Sequence, residues 1–121
     1  GWAWSIWDCA TTQLVPGVVL VKRFVGAQLA ESFALIECHY CVNNGFFESP
    51  NWLLDNVHRI RKIPGVIIQG RYDVVCPLKS AWDLHRAWPE ADFQIVADAG
   101  HAASEPGILS KLIEAADRFS K

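Results

Sequence analysis

The sequence predicts an α/β fold built on a parallel sheet, and three features of its second half carry that reading. Val66-Ile67-Ile68 is continuously apolar and β-branched, as expected of a strand covered on both faces. A helical segment follows from Pro77 to about Trp88, and Phe93-Gln-Ile-Val96 then reads as a second strand. Strand, helix, strand, helix with short joints favours neighbouring parallel strands joined by right-handed crossovers.

Residues 1 to about 63 lack this alternation. Leu29, Phe33, Ile36 and Tyr40 recur at helical spacing, marking one apolar face of a helix from about Ala27 to Cys41. Asn43-Asn44-Gly45 ends it with residue types that tolerate a left-handed cap. Pro50-Asn51 opens another helix, with Leu53, Leu54, Val57 and Ile60 on its buried side. Val15 to Val25 fits a strand by its β-branched residues and a helix by its length and neighbours; both readings stand. Ile63-Pro64-Gly65 is a natural break before the first strand. Pro89 ends the helix begun at Pro77. Pro106 opens the last one, with Leu109, Leu112, Ile113, Ala116 and Phe119 at helical spacing.

A chain of 121 residues suits one domain, and 51% apolar content with six Trp and six Phe marks it as globular. A net charge of −2 without a Lys/Arg stripe argues against nucleic acid. No apolar run approaches the ~20 residues of a membrane helix. The opening Gly-Trp-Ala-Trp and the absence of Met suggest a piece of a longer protein. Four irregularly spaced cysteines read as reduced thiols of a cytoplasmic protein, with no metal or cofactor expected. Cys38-His-Tyr-Cys41 has the spacing of a redox or zinc pair. It falls inside a predicted helix and no second pair accompanies it, which weighs against that use.

The chemistry concentrates beyond the ends of the two strands, where parallel sheets carry their functional loops. Asp73 follows the first strand and His101 the second, so neighbouring strands about 4.8 Å apart let the carboxylate reach the imidazole. Such an acid holds the ring in one tautomer and stabilises the imidazolium formed when it takes a proton. Acid before histidine is the chain order of α/β-hydrolases, in which the serine comes earlier still. The plainer alternative is that Asp73 satisfies loop amides and His101 is a surface loop residue. A nucleophile elbow, Gly-x-Ser-x-Gly, is absent: none of Ser5, Ser32, Ser49, Ser80, Ser104, Ser110 or Ser120 has that setting. Cys76 is near Asp73, but Val74-Val75 before it and Pro77 after it favour a structural thiol. Alone, the chain is expected to be inactive.

Gly-Arg-Tyr-Asp-Val-Val-Cys-Pro (70–77), Ser80-Ala-Trp-Asp-Leu-His85, Ala87-Trp-Pro-Glu90 and Ala99-Gly-His101 resemble the proline iminopeptidases. So do Trp4-Ser-Ile-Trp-Asp8, Ile36-Glu-Cys-His-Tyr40, Asn44-Gly-Phe-Phe-Glu48 and Val57-His-Arg-Ile-Arg61. These are α/β-hydrolase-fold serine peptidases that remove N-terminal proline from peptides. The resemblance implies the C-terminal part of such an enzyme: part of a helical cap over 1–63, then the last two parallel strands with flanking helices over 64–121. It implies Asp73 as triad acid, His101 as general base, and Glu37 and Asp8 as carboxylates for the substrate's free imino group. Tyr40 and Cys41 would line the adjoining pocket. The implied partners are a peptide with N-terminal proline and the part of the enzyme that carries the serine and oxyanion hole.

The chemistry is consistent from below. An N-terminal proline is a charged ammonium beside an apolar ring, so its site needs carboxylates next to aromatic walls. Glu37 shares a helical face with Phe33, Tyr40 and Cys41; pairing with Arg59 or Arg61 is its structural alternative. Asp8 is one methylene shorter than the family's Glu. Cys41 replaces a usual Phe, and Ala102-Ala103-Ser104 replaces a more usual Ser-Ala-Phe. These departures are expected to loosen selectivity for proline, which kinetics on proline and alanine amides would read out. The rivals are a non-catalytic protein on the same scaffold and an esterase, although an uncharged ester gives no return for buried carboxylates. An open apolar sheet edge at Val66–Ile68 predicts oligomerisation, strand exchange or association with the serine-bearing part, and light scattering tests this.

Overall fold

A computed structural model describes residues 2–15 and 27–120. All but Val15 of the ambiguous Val15–Val25 segment lies outside the described residues. Helix α1 spans Trp2–Thr11, where the Trp4 and Trp7 rings, one turn apart, meet at a tilt of 40° with centroids 5.5 Å from each other. Helix α2 spans Ala27–Val42, in agreement with the apolar periodicity. A left-handed turn follows, with Asn44, Gly45 and Phe46 all at positive φ between 51° and 63°. That conformation is uncommon for a bulky residue. The Phe46 ring packs at 5.4 Å from both His39 and Tyr40.

On α2, Ile36 is 63% exposed and Tyr40 55%, while the small Ala34 is buried. The main neighbours of α2 are α1 and the turn that follows it, and Ile36 and Tyr40 stay largely exposed beside them. One expectation needs correction: the helix expected after Pro50 breaks. It forms one turn, α3 (Trp52–Asp55), then a tight 3₁₀ turn over Val57–Arg59. At the break the Asn56 side chain donates to the Trp52 carbonyl at 2.8 Å, a local bond that competes with helix continuation. Val57 is buried, whereas Leu53 and Ile60 are exposed.

The second half follows the expected alternation. Strand β1 (Val66–Gly70) pairs in parallel with β2 (Asp92–Val96), Val66 opposite Asp92 and Gly70 opposite Val96. Helix α4 (Leu78–Ala87) connects them and α5 (Pro106–Phe119) follows; both pack on β1. Pro77 caps α4, and Pro106 occupies the start of α5, where its missing N–H costs nothing. Among the described residues the sheet has two strands, so β1 has one neighbour. Its apolar residues are accordingly half-buried. The core joins Ile68 to Val96, Ala99 and Ile108, fastening α5 to one face of the sheet.

Candidate active site

The two strand ends are drawn together by backbone bonds that continue past the sheet. Arg71 N–H donates to the Val96 carbonyl at 2.9 Å, and Tyr72 N–H to the Ala99 carbonyl at 3.0 Å. This approach depends on glycine. A Cβ at Gly70 would lie 1.8 Å from the Gly100 carbonyl oxygen and 2.8 Å from that of Ala99. Asp73 and His101 therefore lie on loops whose backbones touch.

Their side chains meet. His101 Nδ1 lies 3.0 Å from Asp73 Oδ2, across 28 residues of sequence. With the proton on Nδ1 and donated to the carboxylate, Nε2 is the lone-pair nitrogen available to a reacting group. The Asp73 side chain is 6% exposed and that of His101 36%, so the acid is enclosed while the base remains reachable. Asp73 Oδ1 accepts the amides of Val75 at 3.0 Å and Cys76 at 2.8 Å. Gln69 Nε2 reaches Oδ2 at 3.1 Å. One Asp73 oxygen thus organises the turn and the other faces the histidine.

Cys76 sits at this turn but is poorly suited to attack. Burial pushes its thiol pKa up, and the nearby Asp73 carboxylate pushes it further. The thiolate form is correspondingly scarce at neutral pH.

A second cluster lies on the helices. Trp4 Nε1 on α1 donates to Glu37 Oε2 on α2 at 2.6 Å. Of the two alternative partners, Arg59 and Arg61, the second is engaged elsewhere: Arg61 pairs with Glu90, its Nε 2.9 Å from Oε2. That pairing lowers the Glu90 carboxyl pKa and raises that of Arg61. Tyr40 is exposed one turn after Glu37, in edge contact with Phe46. Cys41 is also exposed. The Asp8 side chain lies outside the described residues. Cys38 and Cys41 are free thiols, and no group of three His, Cys, Asp or Glu residues able to hold a metal occurs among the described residues. Nor is any described helix long and apolar enough to cross a membrane.

The two clusters communicate through the loop leaving α1. The Thr12 carbonyl accepts the amides of His101 at 2.9 Å and Ala102 at 2.7 Å. Sequence reasoning missed the supporting residues Trp4, Thr12, Gln69 and Glu105, the last of which accepts the amide of Gly100 beside His101. Gln69, a lone amide ending an apolar strand, and Glu105, an acid just before a helix-opening proline, were the available signals. A concavity of about 460 Å³ between α3 and α4 is lined by Leu53, Leu54, Asp83 and Leu84 among others, away from Asp73 and His101.

No protein-family model matches the chain. It is 54% identical over 117 residues to a protein of Leptolyngbya boryana named probable proline iminopeptidase, covering 97% of this chain and 36% of that protein. The proline iminopeptidase of Arabidopsis thaliana is 52% identical over 117 residues, with 97% and 31% covered. That of Neisseria gonorrhoeae is 36% identical over 115 residues, with 95% and 36% covered. The chain thus spans about a third of the length of these curated relatives, and aligns with their C-terminal part.

Proposed function

We propose, from a homology to proline iminopeptidases that runs through nearly the whole chain, that these residues supply the acid, the base and the amine anchor of a serine aminopeptidase. The nucleophile and oxyanion hole come from outside the 121 residues, which hold no Gly-x-Ser-x-Gly. Residues 1–63 form part of a helical cap, and 64–121 form the C-terminal part of the α/β-hydrolase core.

His101 Nε2 takes the serine proton as the oxygen attacks the carbonyl carbon of the substrate's N-terminal proline. The resulting imidazolium is held by Asp73 and returns the proton to the departing amine. Water then repeats the sequence to free proline from the acyl-enzyme. Glu37, with one oxygen held by the Trp4 indole, keeps the other for the proline ammonium, and Asp8 assists it. Tyr40 and Cys41 border the ring. The exposed apolar residues of α2 and the single-partnered β1 are where the serine-bearing part packs.

The observation that carries the reading is the Asp73–His101 contact beyond adjacent parallel strands, in a sequence homologous to these peptidases. The test is a chimera in which the 121 residues replace the aligned third of the Leptolyngbya boryana relative. Asp73→Asn keeps an oxygen for the Val75 and Cys76 amides but favours the wrong imidazole tautomer. It is expected to lower kcat on proline amides by about 10³- to 10⁴-fold without unfolding the protein. Full activity in that variant would remove Asp73 from the mechanism.

A further inference from the structure

Glu105 is a buried charged residue, 9% exposed, to which the mechanism above assigns nothing. It stands at the N-cap position of α5, yet its side chain makes no cap bond to its own helix. Both oxygens instead reach other segments. Oε1 accepts the Gly100 amide at 2.8 Å, and Oε2 accepts the Leu14 amide at 3.2 Å, 91 residues away. Gly100 immediately precedes His101. Leu14 lies two residues beyond Thr12, whose carbonyl receives the His101 and Ala102 amides. The crossing is tight: a Cβ on Gly100 would come within 3.0 Å of Leu14 N and 3.2 Å of Glu105 Oε1.

We infer that Glu105 is a positioning residue, a two-armed carboxylate clamp that fixes the His101 loop against the segment leaving α1. A buried carboxylate is retained only where its lone pairs are satisfied, and here the donors are two backbone amides from separate parts of the chain. One arm sets the backbone next to the general base. The other ties that backbone to the helix whose Trp4 holds Glu37, so base and amine anchor share one frame. Unlike the Asp73–His101 contact, the clamp leaves the imidazole untouched and acts on the main chain.

The inference deepens the peptidase reading and rests on it for its kinetic consequence, but its geometry can be tested separately. Glu105→Gln conserves shape and replaces one acceptor with a donor that faces an N–H. In the chimera it is expected to lower kcat by about tenfold to a hundredfold, with KM within about twofold. The Gly100 and Leu14 amide resonances should both shift in the variant, and both protons should exchange faster with solvent. A space-filling role would survive this substitution, so a folded Glu105→Gln protein with unchanged kcat and unchanged amide signals overturns the clamp. Should the variant fail to fold, exchange in the unsubstituted protein decides: protection of both amides supports the clamp, and free exchange at Leu14 refutes it. A folded chimera with no activity on proline amides counts against the peptidase reading, while the amide signals still report on Glu105.

Discussion

Replacing Gly70 by alanine perturbs the site without touching a reactive group. The new methyl would stand 1.8 Å from the Gly100 carbonyl oxygen, about 1.2 Å short of the 3.0 Å that real Cβ atoms keep. The obstacle is backbone on both sides, so no rotamer change relieves it. Either β1 retreats from its partner or the 99–101 loop moves out. The second response carries His101 with it and stretches its 3.0 Å contact to Asp73 beyond hydrogen-bonding range. Overpacking of this kind costs about 1–3 kcal/mol of stability, and a displacement of order 1 Å costs about a hundredfold in rate. Urea unfolding of the chain and kcat of the chimera on a proline amide measure the two effects. An unchanged unfolding midpoint together with unchanged kcat would falsify the close-approach argument.

Two further outcomes follow from the electrostatics. The Glu90 carboxyl is held below its ordinary value chiefly by the hydrogen bond from Arg61. A carboxylate lowered in the fold adds stability above its unfolded pKa, and that stability is lost as pH falls through the folded value. Arg61→Ala should therefore lower Tm slightly at neutral pH, and the gap should close as pH drops from about 4.5. High salt should shrink the gap as well, because both side chains are solvent-exposed. A gap that widens in acid contradicts this assignment. Cys76, whose thiol is raised by burial and then by Asp73, should alkylate slowly at pH 7 and faster in an Asp73→Asn variant. Mass spectrometry of iodoacetamide-treated protein reads this directly, and an equal rate in the two proteins removes Asp73 as a cause.

What the sequence determined by itself was local or ordered along the chain. The β-branched run at Val66–Ile68 and the prolines at 77, 89 and 106 state their conformations within a few residues, so the strands and helices of 64–121 were legible. The order of acid and histidine after successive strands then made a meeting of Asp73 and His101 one of two open readings. The periodicity of α2 located the helix but not its environment: Ile36 and Tyr40 on its apolar face are largely exposed. Asn56 ended a helix that its apolar neighbours predicted to continue, through one side-chain bond to Trp52.

Only the tertiary structure decided which distant backbones touch. The passage of Gly70 under Gly100, the reach of Glu105 to Leu14 and the Trp4–Glu37 bond link residues tens of positions apart. Each depends on ångström-scale placement of main chain that no propensity or spacing encodes. Sequence could nominate the carboxylate and the imidazole because their chemistry is written in residue type. What holds them in place is a set of ordinary amides, carbonyls and glycines, and their role exists only once the chain has folded over itself.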